Sequence, residues 1–168
     1  SYTAQGQLAK EWQTVATTDA NGQSGHAALW RAYAYDKLGQ QTYAYAPSQS
    51  QLSQTTVAIT VTGFNAFGEV THQQVLDANQ TVQEESYEYD NAGRVWRSNA
   101  GDGVLKVLAY DLQGRQTAQV IAAGSLDLQN YASVDAVRIA QAAKPSEFRR
   151  TDMRYDALGR LVQTLAPE

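Results

Sequence analysis

Four aspartates recur in closely similar settings: Asp36 in YAYDKLGQ, Asp90 in YEYDNAGR, Asp111 in LAYDLQGR and Asp156 in MRYDALGR. Sets of carboxylates suggest acid–base chemistry, and glycoside hydrolysis needs two of them facing one bond at about 5–10 Å. Arg94, Arg115 and Arg160 follow three of these aspartates at a fixed spacing, and Gln40 follows the fourth. Tyrosines precede them, in pairs at Tyr33 and Tyr35 and at Tyr87 and Tyr89. Exposed aromatic rows stack on sugars, and Asp or Arg beside them bonds hydroxyls. Yet the aspartates hold one equivalent place in four copies of a motif. A single architectural role accounts for all of them at once, and repetition of a pattern is a fold-level signal rather than a catalytic one.

Other chemistries lack their residues. The two histidines, His26 and His72, form no HxxxH or HExxH pair, and cysteine is absent. Zinc sites, disulfides and histidine-based triads are therefore not expected. No GxSxG elbow, GxGxxG or Walker A pattern occurs. The acidic run Glu84, Glu85, Glu88, Asp90 and the stretch NAGDG (Asn99 to Gly103) lack EF-hand spacing. No catalytic residue, metal or cofactor is expected. NQT at Asn79 is a formal glycosylation sequon in a turn-like setting.

The motif itself predicts local structure. Alternation places Tyr87 and Tyr89 on one face of an incoming strand, and likewise Tyr33 and Tyr35. Asp-x-x-Gly then reads as a turn: Asp at its first position accepts backbone N–H bonds, and Gly takes a left-handed conformation in a G1 bulge. The predicted turn positions are Asp36 with Gly39, Asp90 with Gly93, Asp111 with Gly114, and Asp156 with Gly159. FNAFGE supplies a looser copy, Asn65 with Gly68, and YTAQGQ another, with Thr3 a weaker substitute before Gly6. Arg94, Arg115 and Arg160 are expected to bond turn carbonyls or neighbouring carboxylates, each worth roughly 0–1 kcal/mol if exposed. Apolar return strands follow each Gly, and each unit is two strands of a meander. The longest separation between motif glycines, Gly114 to Gly159, holds NYASVDAVRIAQAAKPSEF. Ser133 as N-cap, Asp135 in the first turn and Pro145 as terminator predict an inserted helix over 134–143.

Composition agrees with a strand-rich protein. The 168 residues include ten tyrosines and three tryptophans against three prolines. A net charge of -4 argues against a phosphate-binding surface and hence against nucleic acid. No apolar run approaches the roughly 20 residues of a membrane-spanning helix, so no membrane insertion by this segment is expected. No signal-peptide pattern opens the chain.

The tandem YxYDxxGR motifs, four well matched and two loose, resemble the YD repeat of the Rhs family. That family includes bacterial polymorphic toxins, shell subunits of insecticidal toxin complexes and the teneurins. The resemblance implies a mostly β fold: a curved antiparallel sheet of tandem β-hairpin repeats, with one short inserted helix. It implies residues 1–168 as a single YD-repeat array, a fragment of a longer repeat protein. It also implies a structural segment of a secreted or surface-displayed bacterial shell that encloses or presents a toxin or effector. The expected partners are neighbouring repeats and the enclosed toxin domain. No Asp-Pro-x-Gly-Leu cleavage segment and no toxin domain appear in the sequence, so the scaffold role transfers and an enzymatic one does not. The alternative is an adhesion module binding carbohydrate or a receptor through Tyr33, Tyr35, Tyr87 and Tyr89, with Tyr43 and Tyr45 as further candidates. Open sheet edges pair with other chains, so self-association is expected.

Overall fold

The computed structural model describes residues 1–18, 21–47, 57–77 and 81–166. The fold is mostly β, with one α-helix. The chain forms two compact units, Ser1–Glu84 and Glu85–Glu168.

The first unit is an antiparallel meander of β1 (Lys10–Thr18), β2 (Ser24–Tyr35), β3 (Gln41–Pro47), β4 (Val57–Phe64) and β5 (Val70–Leu76), each paired with the next. Alternation of β-branched residues from Thr55 to Thr62 predicts a strand; Val57 to Thr62 lie within β4, and the first two residues of the run lie outside the described residues. In this unit no described residue is fully buried. Gly63 is required by a neighbour: a Cβ there would lie 2.0 Å from Cε1 of His72, its cross-strand partner.

β6 (Thr81–Tyr89) carries the division between the units. The second unit continues through β7 (Val95–Ser98), β8 (Lys106–Tyr110), β9 (Gln116–Ala122), β10 (Phe148–Tyr155) and β11 (Leu161–Leu165), again paired in sequence order. Between β9 and β10 runs the insertion: a 3₁₀ turn at Leu128–Asn130, then α1 (Val134–Ala143). The helix starts where Ser133 caps it, its Oγ accepting from the Ala136 amide, and its first turn carries Asp135, favourable at the positive end of the dipole. A 3₁₀ turn at Pro145–Glu147 leads into β10.

The insertion gives this unit its core. Leu128 and Val137 pack with Val107, Val120, Trp96 and Phe148 in one buried cluster. The complementary face of α1 carries Ile139, which is exposed. Leu128→Ala should therefore cost about 2–5 kcal/mol, whereas Ile139→Ala should stay within about 0.5 kcal/mol. Urea unfolding followed by circular dichroism measures both; equal effects would mean that the insertion does not seal the core.

Candidate functional site

The recurrent motif forms one geometry six times. In each copy the amide of the first turn residue donates to the carbonyl of the residue after Gly, and the Gly amide donates back. These pairs are Thr3 with Gln7, Asp36 with Gln40, Asn65 with Glu69, Asp90 with Arg94, Asp111 with Arg115, and Asp156 with Arg160, at 2.7–3.0 Å. The pattern is that of a type I turn closed by a G1 bulge. Gly114 has φ +80° and Gly93 φ +73°, a region that other residues enter only with strain.

The side chain at the turn start fixes this loop. Oδ1 of Asp111 accepts from the amides of Gln113 and Arg115 at 2.9 Å. Asp36, Asp90 and Asp156 do the same with their own loops. Oδ2 then accepts from a guanidinium: Nε of Arg94 at 2.8 Å, of Arg115 at 2.7 Å and of Arg160 at 2.7 Å. In the Asn65 copy the polarity is exchanged. Asn65 Oδ1 still accepts two amides, but its Nδ2 donates to Glu69 at 2.6 Å. The first copy keeps only part of the arrangement, with Thr3 Oγ1 accepting from the Gln7 amide at 3.1 Å.

Successive turns are then joined. The Tyr35 hydroxyl donates to the Leu8 carbonyl at 2.9 Å, Tyr110 to Val95 at 2.7 Å and Tyr155 to Gln116 at 2.8 Å. Each acceptor lies two residues past the Gly of the preceding motif. In the opposite direction, the Arg94 guanidinium lies 4.9 Å from the Tyr110 ring centre and donates to the Asp111 carbonyl at 3.1 Å. Arg115 lies 4.9 Å from the Tyr155 ring in the same way. Gln7 plays this part in the first unit, donating to the Gly39 carbonyl at 2.9 Å. Gln40 lies so close over Gly68 that a Cβ there would sit 2.6 Å from its Nε2.

A second irregularity recurs beyond the turn. Gln41 and Tyr43 pair with Tyr35 and Ala34, leaving Thr42 as an extra residue. The same shift isolates Thr71, Trp96, Thr117 and Val162. Because it sits in a bulge, Trp96 reaches the buried cluster from a strand position that simple alternation does not predict.

The tyrosine surface expected from sequence is divided. Tyr43 faces Ala34 and Tyr45 faces Ala32 across the strands, whereas Tyr33 faces Ala44. Strand alternation therefore puts Tyr43 and Tyr45 on the opposite side of the sheet from Tyr33, and the six rings do not form one row. Tyr45 instead stacks on Trp30, centroids 4.1 Å apart at 9°. Lys10 lies 4.2 Å from the Trp30 ring, and Trp12, the cross-strand partner of Trp30, is 66% exposed. The Tyr33 hydroxyl donates to Glu11 at 2.9 Å and that of Tyr87 to Glu85. The Glu85 bond, then burial and the nearby charge, push Tyr87 up to about 12.

Sequence reasoning missed the Trp12–Trp30–Tyr45 cluster, although Lys10 and Trp12 in alternation were a signal for it. It also missed Arg97. That side chain donates to the Leu128, Gln129 and Tyr131 carbonyls at 2.9, 3.2 and 2.7 Å, and pairs with Glu88 at 2.5 Å. It ties β7 to the start of the insertion. Asn79, with its sequon, lies outside the described residues.

A cleft of about 630 Å³ opens between the sheet and α1 in the second unit, lined among others by Arg94, Trp96, Tyr110, Arg138 and Arg150. Each of these cations already has a carboxylate: Asp90 at 2.6 Å, Asp135 at 3.1 Å and Asp152 at 2.7 Å respectively. No histidine lines it. Among the described residues no three His, Asp or Glu side chains gather where they would hold a metal.

No protein-family model matches the chain, and no curated protein does. Among solved structures, chains in the crystal structures of TcdB2-TccC3-Cdc42 and TcdB2-TccC3-TEV are similar to it, each with a TM-score of 0.43. Identity is 15% and 16%, over 93% of this chain and 9% of each of theirs. This chain thus spans less than a tenth of theirs. Among the described residues no helix is long and apolar enough to cross a membrane.

The turn carboxylates tie stability to pH. Burial is the largest single influence on Asp90 and Asp111 and opposes ionisation. The amide and guanidinium bonds together outweigh it, so both stay below the ordinary 3.8. At Asp156 the Arg160 amide bond dominates, with the same result. A depressed folded-state value means stability that is complete above the unfolded value and is lost as pH falls through the folded one. Asp111→Asn keeps the amide acceptor but loses the charge facing Arg115. Its urea midpoint should lie below wild type at pH 6, with the gap closing as pH falls below the ordinary 3.8. Parallel curves from pH 6 to pH 2 would contradict this.

Proposed function

We propose that this chain is a structural segment of an Rhs/YD-repeat β-shell that encloses or presents a secreted toxin or effector. The observation that carries this reading is the use of the motif's polar groups within the fold. Each motif aspartate accepts two amides, and in three copies the arginine that follows it as well. In three motifs the tyrosine directly before the aspartate, Tyr35, Tyr110 or Tyr155, bonds the preceding turn. The aspartates that suggested acid–base chemistry are thereby engaged in holding the turns, and Tyr35, one of the rings that suggested sugar binding, joins turn to turn as Tyr110 and Tyr155 do, which suits a wall built by repetition. The proposal gives the chain no catalytic step, and places it in a secreted or surface-displayed bacterial protein. Cryo-electron microscopy of the natural polypeptide carrying these residues tests it. The expected result is residues 1–168 within the wall of a hollow β-structure, and their placement outside any such wall would overturn it.

A second reading, an adhesion module for carbohydrate, is favoured by one observation. Trp12 lies exposed beside the Trp30–Tyr45 stack, which offers a flat ring for a sugar. It rests on these rings rather than on Tyr33, Tyr35, Tyr87 and Tyr89. A glycan array distinguishes the two: the shell reading expects no saturable binding, and reproducible binding lost in Trp12→Ala would favour the adhesin.

A further inference from the structure

The two units use equivalent positions of the repeat differently. Val107, four residues before Asp111, and Val120, six after Gly114, are 1% and 5% exposed. They pair across β8 and β9 and lie under the insertion, in the cluster with Leu128 and Val137. In the first unit the same places are held by Ala32 and Val61, four residues before Asp36 and Asn65, and by Tyr45, six after Gly39. Trp30 and Ile59 stand where Leu105 does, six residues before the turn. Cross-strand pairing puts Ala32, Tyr45, Ile59 and Leu76 in one row, with Tyr43 and Val61 in the row beside it. The opposite face carries Glu11, Arg31, Tyr33, Thr60 and Thr62 and is polar. Trp30 is nonetheless 37% exposed, and Tyr45, Ile59 and Val61 are only partly buried. The regular elements described in this unit are all strands of its sheet. β2, β3 and β4 each have a strand on both sides, so no missing neighbour in the sheet lays this face open.

A sheet with one apolar face buries it against another layer. The second unit shows which layer fits these positions: Leu128 and a helix that lays Val134, Val137 and Ala140 on the cluster at i, i+3 spacing. We propose that the first unit's apolar face is a docking surface for an amphipathic helix of a partner polypeptide. That helix covers Trp30, Tyr45, Ile59 and Val61 as the insertion covers Val107 and Val120. Its apolar stripe lies on the two rows and its polar side faces solvent, the helix-in-groove mode of recognition. Lys10, 4.2 Å from the Trp30 ring, sets a cation at the border, which favours an acidic residue on the helix flank. Ile59, Val61 and Leu76 offer sugar hydroxyls no hydrogen bond, so a polypeptide suits the face better than a glycan. The proposal goes beyond the shell reading and holds whether the face looks into a lumen or out of it.

The probe is a fluorescein-labelled peptide with the sequence of residues 126–147, the segment that covers the equivalent positions in the second unit. A hydrocarbon staple between positions 135 and 139, both exposed in this chain, holds it helical. Fluorescence anisotropy with the intact protein should show saturable binding. Tyr45→Thr should weaken it about tenfold, and the isosteric Val61→Thr about fourfold. Arg31→Ala, on the opposite face, should leave it unchanged. Circular dichroism checks that each variant is folded, and Val61→Thr keeps the test readable if Tyr45→Thr is not. Absence of saturable binding to the wild-type protein would overturn the proposal. So would unchanged affinity in the folded face variants, or an equal loss in Arg31→Ala. A glycan-array signal lost in the face variants would assign the face to a sugar and overturn it. A concentration-dependent dimer in sedimentation that the face variants dissolve would do the same by assigning it to a second copy. Failure here would leave the cryo-electron microscopy expectation for the shell intact.

Discussion

The structure of the second unit depends on one reciprocal contact between neighbouring turns: an arginine laid on the tyrosine ring of the next motif, and that tyrosine's hydroxyl returned to a carbonyl of the first. A cation over an aromatic face is worth about 0.5–2 kcal/mol, and a hydrogen bond of this kind about 0.5–1.5 kcal/mol. Neither is large alone. Together they fix the spacing and the direction in which one turn follows another, and they require both groups to be held still before they meet. Asp111 does this for Arg115, since its Oδ2 holds Nε while its Oδ1 holds the loop. The aspartate, the glycine and the arginine are thus one device rather than three conserved-looking letters.

The first unit tests how far the device tolerates change. Gln7 and Gln40 replace arginine there, and Phe64 replaces the tyrosine that would donate. The contact from turn to turn survives in reduced form, as the Tyr35 hydroxyl on the Leu8 carbonyl, one amide bond from Gln7 and close packing of Gln40 over Gly68. The same unit has no fully buried residue among those described, whereas the second gains a core from its inserted helix. Its stability must come from strand pairing and cross-strand contacts such as Trp30 on Tyr45, each worth roughly 0.2–1 kcal/mol.

Much of this was legible in the sequence because the chain writes the same local geometry repeatedly. Asp-x-x-Gly specifies its turn through bonds within five residues, and α1 carries its own start at Ser133 and a stop ahead of Pro145. The bulge past each turn was not read, although threonine at three of its five positions, Thr42, Thr71 and Thr117, was a signal. Missing it hid how Trp96 reaches the core. The division of Tyr43 and Tyr45 from Tyr33 depends on register between strands, which no single segment encodes. Arg97 was invisible for the same reason: its acceptors at Leu128, Gln129 and Tyr131 are brought to it only by the folded insertion.

The central claim, that arginine and tyrosine of successive motifs stabilise each other, is tested most directly by a double-mutant cycle on Arg115 and Tyr155. Unfolding free energies are measured for wild type, Arg115→Ala, Tyr155→Leu and the double variant. The account predicts a favourable coupling of about 1 kcal/mol. Additivity of the two losses to within about 0.3 kcal/mol would contradict it.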